Sequence, residues 1–236
     1  IFRQKGLEGE ELVRMMLANS FLAILFSGIT SSLKHKKLGT FYPKEIITIA
    51  IPAMIVGSSM SYMITTMSWY VDVYFQMVFV VVISVTLWRL FVSRKKANQQ
   101  ELAYDVKPYV GIGVATGLIS AFSGLGGGVA MIPLLTLVSK QDMKKAAGIS
   151  IGVIPIMILP MLVVYAFQAP THQFLGAIGY LQFLIVLPVV IGIFIGSTLG
   201  VSIGKRIKST HLKLIFAILL ILIGIKYSYQ LINSFV

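Results

Sequence analysis

Six consecutive residues, Ser123-Gly124-Leu125-Gly126-Gly127-Gly128, interrupt an apolar block that runs over residues 108–139 and contains Pro133. The chemistry available there belongs to the backbone. A helix that begins after such a turn leaves its first N–H groups without intrahelical partners and carries the positive end of its dipole at that point. Glycines hold no side chain in the way, so an oxyanion can approach these amides directly. A half-helix starting near Gly127, with Gly124, Gly126 and Gly128 around it, therefore forms a cradle for a negatively charged solute without an arginine. Ser123 adds a hydroxyl from the turn. Distributed weak donors also permit release, whereas a buried Arg would hold an anion by charge as well as by hydrogen bonds. The competing use of such glycines is close helix packing, which rarely needs three in a row.

The elements that position this run lie in a membrane. The chain has 236 residues, of which 57% are hydrophobic and 12% charged, with a mean hydropathy of +0.89. A span needs about 20 apolar residues, and segments 15–33, 45–65, 69–91, 146–167, 178–203 and 211–234 qualify. Backbone that leaves helical geometry in hydrocarbon survives only where protein buries it or a polar cavity receives it. Cysteine is absent, which removes disulfides, thiolate metal sites and thiol nucleophiles. No H-E-x-x-H or H-x-x-E-H pattern occurs, and every acidic residue sits at or beyond a predicted span end. A membrane-embedded enzyme, a metal site, a cofactor and a buried carboxylate proton relay are not indicated. Lys226, inside the last apolar segment beside Tyr227 and Tyr229, reads as a side chain that snorkels to the interface.

The formal net charge of +12 follows from the bias of Lys and Arg toward cytoplasmic loops and calls for no nucleic-acid partner. Basic residues cluster at Lys34 to Lys44, Arg89 to Lys107, Lys140 to Lys145 and Lys205 to Lys213, whereas loops 66–72 and 168–176 contain none. With all four clusters in the cytoplasm, 15–33 runs inward, 45–65 outward, 69–91 inward, 146–167 outward, 178–203 inward and 211–234 outward. Block 108–139 has basic residues at both ends and must enter and leave on one side. Two half-helices, 108–122 and 127–139, satisfy this. Each reaches about 20 Å, enough to approach the bilayer centre without crossing it.

An internal repeat organises the chain. Gly192, Gly196, Gly200 and Gly204 recur at intervals of four, as do Ala53, Gly57, Ser61 and Thr65. Spacing of four makes each set one helical stripe, suited to tight helix crossing within the chain or in a homo-oligomer. A His-x-x-x-Gly loop precedes each stripe, His35 to Gly39 and His172 to Gly176. Upstream of those loops lie helices carrying Asn19-Ser20 and Ile149-Ser150. Ser20 and Ser150 are equivalent by the repeat; each either donates its hydroxyl to the solute or bonds back to a carbonyl of its own helix. Charge places the two loops on opposite faces, so the copies are inverted, a plan common in secondary transporters. The fold expected is an all-α integral membrane protein with inverted-topology repeats and a broken re-entrant helical hairpin. Residues 1–95 form the first repeat, 96–107 a cytoplasmic linker and 108–236 the second repeat. An N-terminal hairpin equivalent to 108–139 is expected ahead of Ile1.

The segment Gly117-Leu-Ile-Ser-Ala-Phe-Ser-Gly-Leu-Gly-Gly-Gly-Val-Ala-Met-Ile-Pro133-Leu-Leu, followed by Lys145-Ala-Ala-Gly-Ile-Ser150, resembles the repeat signature of the TauE/SafE family of sulfite and organosulfonate exporters. The resemblance implies a multi-pass carrier of the inner cell membrane that moves a small sulfur-containing or carboxylate anion. The candidate solute-binding residues are Ser123, Gly124, Gly126, Gly127, Gly128 and Ser150, joined through the repeat by Asn19 and Ser20. The lipid bilayer is the other partner. An anion channel, or a membrane subunit of a larger transport assembly, is the alternative, since the same hairpin could line a pore.

Overall fold

The computed structural model of the protein describes residues 9–67, 69–92, 105–172 and 176–233. The linker expected at 96–107 lies outside the described residues up to position 104, as does the Lys226 side chain. Eight helices follow in order: α1 Gly9–Lys37, α2 Pro43–Thr66, α3 Asp72–Val92, α4 Val106–Ser123, α5 Gly128–Leu137, α6 Met143–Ala166, α7 Phe183–Arg206 and α8 Ser209–Asn233. Four of them, α1, α2, α6 and α7, are long and apolar enough to cross a membrane. The apolar stretches of α3 and α8 are shorter, Val73–Trp88 and Thr210–Ile225, where six full spans were expected from sequence.

Local chemistry sets the helix starts. Pro43 opens α2 at its first turn, where a missing N–H removes no intrahelical bond. Asp105 and Asp142 cap α4 and α6, accepting hydrogen bonds from the amides of Lys107 at 3.1 Å and Lys144 at 2.9 Å. The C-terminal end of α2 is closed by Arg14 of α1, which donates to the carbonyls of Ile64 (3.1 Å) and Met67 (3.3 Å).

The expected helix over 178–203 starts five residues late. Residues Ala177–Ile178 and Leu181–Gln182 instead pair as an antiparallel ribbon, β1 and β2, the one departure from an all-α chain among the described residues. Gly179 makes the bend with φ +55°, packed against the carbonyls that end α6. Asn19 then holds the ribbon from α1. Its amide donates to Tyr180 O (3.0 Å) and Met15 O (2.7 Å), and its Oδ1 accepts from Gln182 N–H (2.7 Å).

Small residues decide which helices meet. Helices α2 and α4 run parallel, with Gly113 beside Ile49 and Gly117 beside Ala53 and Gly57. A Cβ would sit 2.5 Å from the Ile49 carbonyl at the first and 2.6 Å from that of Ala53 at the second. The stripe Ala53, Gly57, Ser61 and Thr65 is accordingly buried. Helix α6 also runs parallel to α2, Gly152 resting on Ile46 and Gly57 on Met161. Helix α1 crosses α6 in the opposite direction where Gly28 meets Ile154. Phe21 and Tyr165 stack there with centroids 5.9 Å apart. Helix α7 lies along α1, Phe26 against Phe194, and α3 pairs with α8 through Ile83 and Gly224. The exposed Leu and Ile side chains of α7 and α8 face outward, as a lipid-contacting layer requires.

The two stripes differ in use. Around Gly192, Gly196, Gly200 and Gly204 an added Cβ would meet nothing within 4 Å, so this stripe makes none of the tight crossings its spacing suggests. Gly117→Leu is therefore expected to force α4 off α2 and destabilise the protein by about 3 kcal/mol, the cost of overpacking a filled contact. Gly192→Leu should leave stability unchanged or raise it by up to about 0.8 kcal/mol through helix propensity. Thermal unfolding of both variants in detergent measures the contrast.

Candidate functional site

The interruption between α4 and α5 is built from three left-handed glycines, Gly124 at φ +66°, Gly126 at +65° and Gly127 at +72°. Residues with a Cβ adopt this region at a cost of roughly 1–2 kcal/mol each. The turn is closed unequally on its two sides. At the end of α4, the Ser120 carbonyl accepts from Gly124 N–H (2.9 Å), Ile119 O accepts from the Ser123 hydroxyl (2.6 Å), and Phe122 O accepts from Tyr70 Oη (2.6 Å). Leu125 N–H donates to Ser123 Oγ at 3.3 Å. At the start of α5, Gly127 supplies no side-chain cap. Its carbonyl accepts from Ala130 and Met131, and the amides of Gly126, Gly127 and Gly128 take part in none of these bonds. Side chains and a glycine cap thus serve carbonyls at the end of α4, while no side chain serves the amides at the start of α5.

The chain doubles back after this turn. Gly127 packs against Thr116, eleven residues earlier, and beyond α5 the Gln141 amide donates to the Tyr109 hydroxyl near the start of α4 at 3.0 Å. The first arm is longer than expected. Its 18 residues reach about 27 Å, and the Tyr70 contact brings its tip to the connection between α2 and α3. The second arm has 10 residues. The tip thus lies nearer the far connection than the halfway depth expected, because α4 stays helical from Val106 through Ser123 alongside α2.

Helices α1 and α6 grip the turn from two sides. A Cβ on Gly124 would fall 2.9 Å from Leu17 and 3.9 Å from Ser20 Cβ. On Gly126 it would meet Ile24 at 2.6 Å. On Gly127 it would collide with Thr116 Cγ2 and come within 3.2 Å of Met157, and on Gly128 it would touch Ile154 at 3.4 Å. Among the candidates, Ser123, Gly124, Gly126, Gly127, Gly128 and Ser20 are thereby brought together. Ser20 is exposed, and its neighbour Asn19 is buried.

Three side chains have other engagements. Asn19 spends its amide and carbonyl on the β1–β2 ribbon, so its place is in the scaffold. Ser150 bonds back to Ala147 O at 3.0 Å and lies one turn before Ile154, the α6 residue that touches Gly128. Ser123 donates within its own helix and accepts from the turn, shaping the bend. Sequence reasoning passed over Thr116 and Ser120, whose hydroxyls are fully buried without a partner among the described residues. With Ser123 they fall at intervals of four and three on one face of α4, a periodic signal that was available. No cluster of three His, Cys, Asp or Glu side chains suited to a metal occurs among the described residues.

A multi-pass bundle of apolar helices, with an interrupted and uncapped helix pair packed inside it, defines a helical membrane protein built around an interior polar turn. Residues 12–227 match the family described as Sulfite exporter TauE/SafE, and the chain belongs to that family. It is similar to the probable membrane transporter protein MJ0441 of Methanocaldococcus jannaschii, with 27% identity over 225 residues covering 90% of this chain and 78% of that protein. It is also similar to the probable membrane transporter protein YunE of Bacillus subtilis, with 26% identity over 235 residues, 92% of this chain and 81% of that one. No solved structure matches. The protein is thus a member of a membrane transporter family rather than of an enzyme class.

The packing at Gly127 yields a test of the turn's geometry. Gly127→Ala should destabilise the protein by about 2–4 kcal/mol, from left-handed strain together with overlap on Thr116. Thr116→Ser, which deletes the opposing methyl, should restore about 1 kcal/mol of this in the double variant. Unfolding of the single and double variants in detergent provides the cycle. Additive effects would show that the two residues do not touch.

Proposed function

We propose that the protein carries a small oxyanion of the sulfite, organosulfonate or carboxylate class across the cell (inner) membrane, binding it at the amides of Gly126, Gly127 and Gly128. The observation that carries this reading is the unequal closure of the turn. Three carbonyls at the end of α4 are occupied by hydrogen bonds, while the start of α5 is uncapped. An anion at the start of α5 finds amide donors and a helix dipole of the right sign. Ser20 contributes a hydroxyl from the exposed face of α1 next to Gly124. The family's description as a sulfite exporter favours the same class of solute.

In this reading α4 and α5 form a re-entrant hairpin that dips into the bilayer from the cytoplasmic side. Its support is the Gln141 to Tyr109 bond that joins the two ends and the basic residues on both flanks. Residues 1–95 and 108–236 are then inverted repeats linked by 96–107, which agrees with α1 and α6 crossing in opposite directions beside the turn. Alternating access arises from rocking one repeat against the other around the glycine turn.

Reconstitution tests the assignment. Gly128 is the turn glycine that a side chain can replace without left-handed strain, its nearest neighbour Ile154 lying at 3.4 Å. Along the series Gly128→Ala, Gly128→Val and Gly128→Leu, saturable uptake of sulfite and methanesulfonate into proteoliposomes should fall progressively. The last variant should lose about tenfold or more, equivalent to roughly 1.4 kcal/mol of binding, with membrane insertion intact. Normal flux through Gly128→Leu would remove the amides of this turn from the site. Equal rates for sulfite, methanesulfonate and chloride, or unitary currents in a planar bilayer, would replace the carrier by a channel.

A further inference from the structure

Residues Ser20, Ile24, Ser27, Ser31 and His35 recur on α1 at intervals of four, three, four and four, which places them on one helical face. The upper members meet the glycine turn, Ser20 beside Gly124 and Ile24 against Gly126. The lower members, Ser27, Ser31 and His35, line a cavity of about 320 Å³ between α1, α6 and α7, at the end of the bundle that carries the basic residues. A volume of this size falls within the range of small-molecule sites.

Three features of the cavity point to an anion. Lys144 and Lys145 stand at its rim. The charge of Lys145 is partly met by Glu45 at 3.5 Å, and two cations at one mouth favour the approach of anions. Three hydroxyls punctuate a mainly apolar lining: Ser27 and Ser31 from α1, and Ser197 from α7, whose Oγ is buried without a hydrogen-bond partner among the described residues. A buried hydroxyl without a partner forfeits a hydrogen bond it would have made in water, a loss that a bound oxyanion would recover. Gly200 and Gly204 leave the α7 wall bare, since a Cβ there would meet nothing within 4 Å.

We propose that this cavity is a second oxyanion site, a vestibule on the basic side of the same path, and that Ile24 is the apolar constriction separating it from the glycine turn. The inference rests on the anion reading given above. Serine hydroxyls and lysine rim then pass the solute up the α1 face from Ser31 and Ser27, past Ile24, to Ser20 and the amides of Gly126 to Gly128. Displacement of Ile24 from Gly126 opens the passage.

The absence of cysteine makes the test direct. Ser31→Cys and Gly200→Cys, neither of which crowds a neighbour, should react with a membrane-impermeant charged maleimide presented from the basic side and resist it from the opposite side. Methanesulfonate at ten times its Kd should slow both reactions about tenfold by occupancy, without affecting a control Lys36→Cys on the exposed surface. Ile24→Ala should raise the rate at which the same reagent reaches Ser20→Cys. Unprotected cysteines at both lining positions would overturn the vestibule. Loss of flux in Gly128→Leu with no protection at Ser31→Cys would leave the glycine site standing and remove only the vestibule. Protection at Ser31→Cys with normal flux in Gly128→Leu would do the reverse.

Discussion

A peptide group in hydrocarbon has no water to bond, and leaving it unpaired costs roughly 2–7 kcal/mol. Every feature around the α4–α5 break follows from that constraint. At the end of α4, the carbonyls of Ser120, Ile119 and Phe122 are met by a left-handed glycine cap, a serine hydroxyl and the Tyr70 phenol delivered from the α2–α3 connection. The amide side is enclosed by α1 and α6 but bonded less completely. Such an imbalance is tolerated in a membrane where the exposed groups meet a cavity or a solute.

The grip on the turn explains why its glycines occur together. Gly124, Gly126 and Gly127 each need positive φ, and each also lies so close to a neighbouring side chain that a Cβ would intrude. Conformation and contact impose the same residue at the same positions. Gly128 differs, being helical with ordinary space around it, and its lack of a side chain is not required by folding. Gly128, at the first position of a helix without a side-chain cap, is therefore the turn residue at which the proposed site can be altered with least cost to the fold.

Much of this arrangement could be read in the residues, and the parts that could not share a cause. Hydropathy located the long helices, and the glycine run marked the break within a residue or two. The depth of α4 was underestimated because sequence gives the length of a helix but not the neighbour along which it stays straight; here that neighbour is α2, reached through Gly113 and Gly117. Asn19 joined the candidates through the repeat, as the neighbour of Ser20. Its partners turned out to be the backbone of a ribbon more than 160 residues away in sequence, a contact that local pattern does not encode. The ribbon was missed for the same reason, its four strand residues merging with the apolar run of α7. Serines at 123 and 150 were identified as polar positions, but whether a hydroxyl faces a cavity or its own helix is decided by rotamer and packing.

The two small-residue stripes show why spacing alone stops short of function. Ala53, Gly57, Ser61 and Thr65 on α2 share the interval of Gly192, Gly196, Gly200 and Gly204 on α7. The first set admits α4 to within a carbonyl's width of the α2 backbone; the second leaves open space, part of it the wall of a cavity ringed by hydroxyls and lysines. Removing side chains from one face of a helix does only one physical thing, which is to make room. Whether backbone or solute takes that room depends on what else borders it. On α2 the neighbour is another glycine-bearing helix, and the space closes. On α7 at Gly200 the neighbours are Ser27 and Ser31 with Lys145 at the rim, and the space stays open.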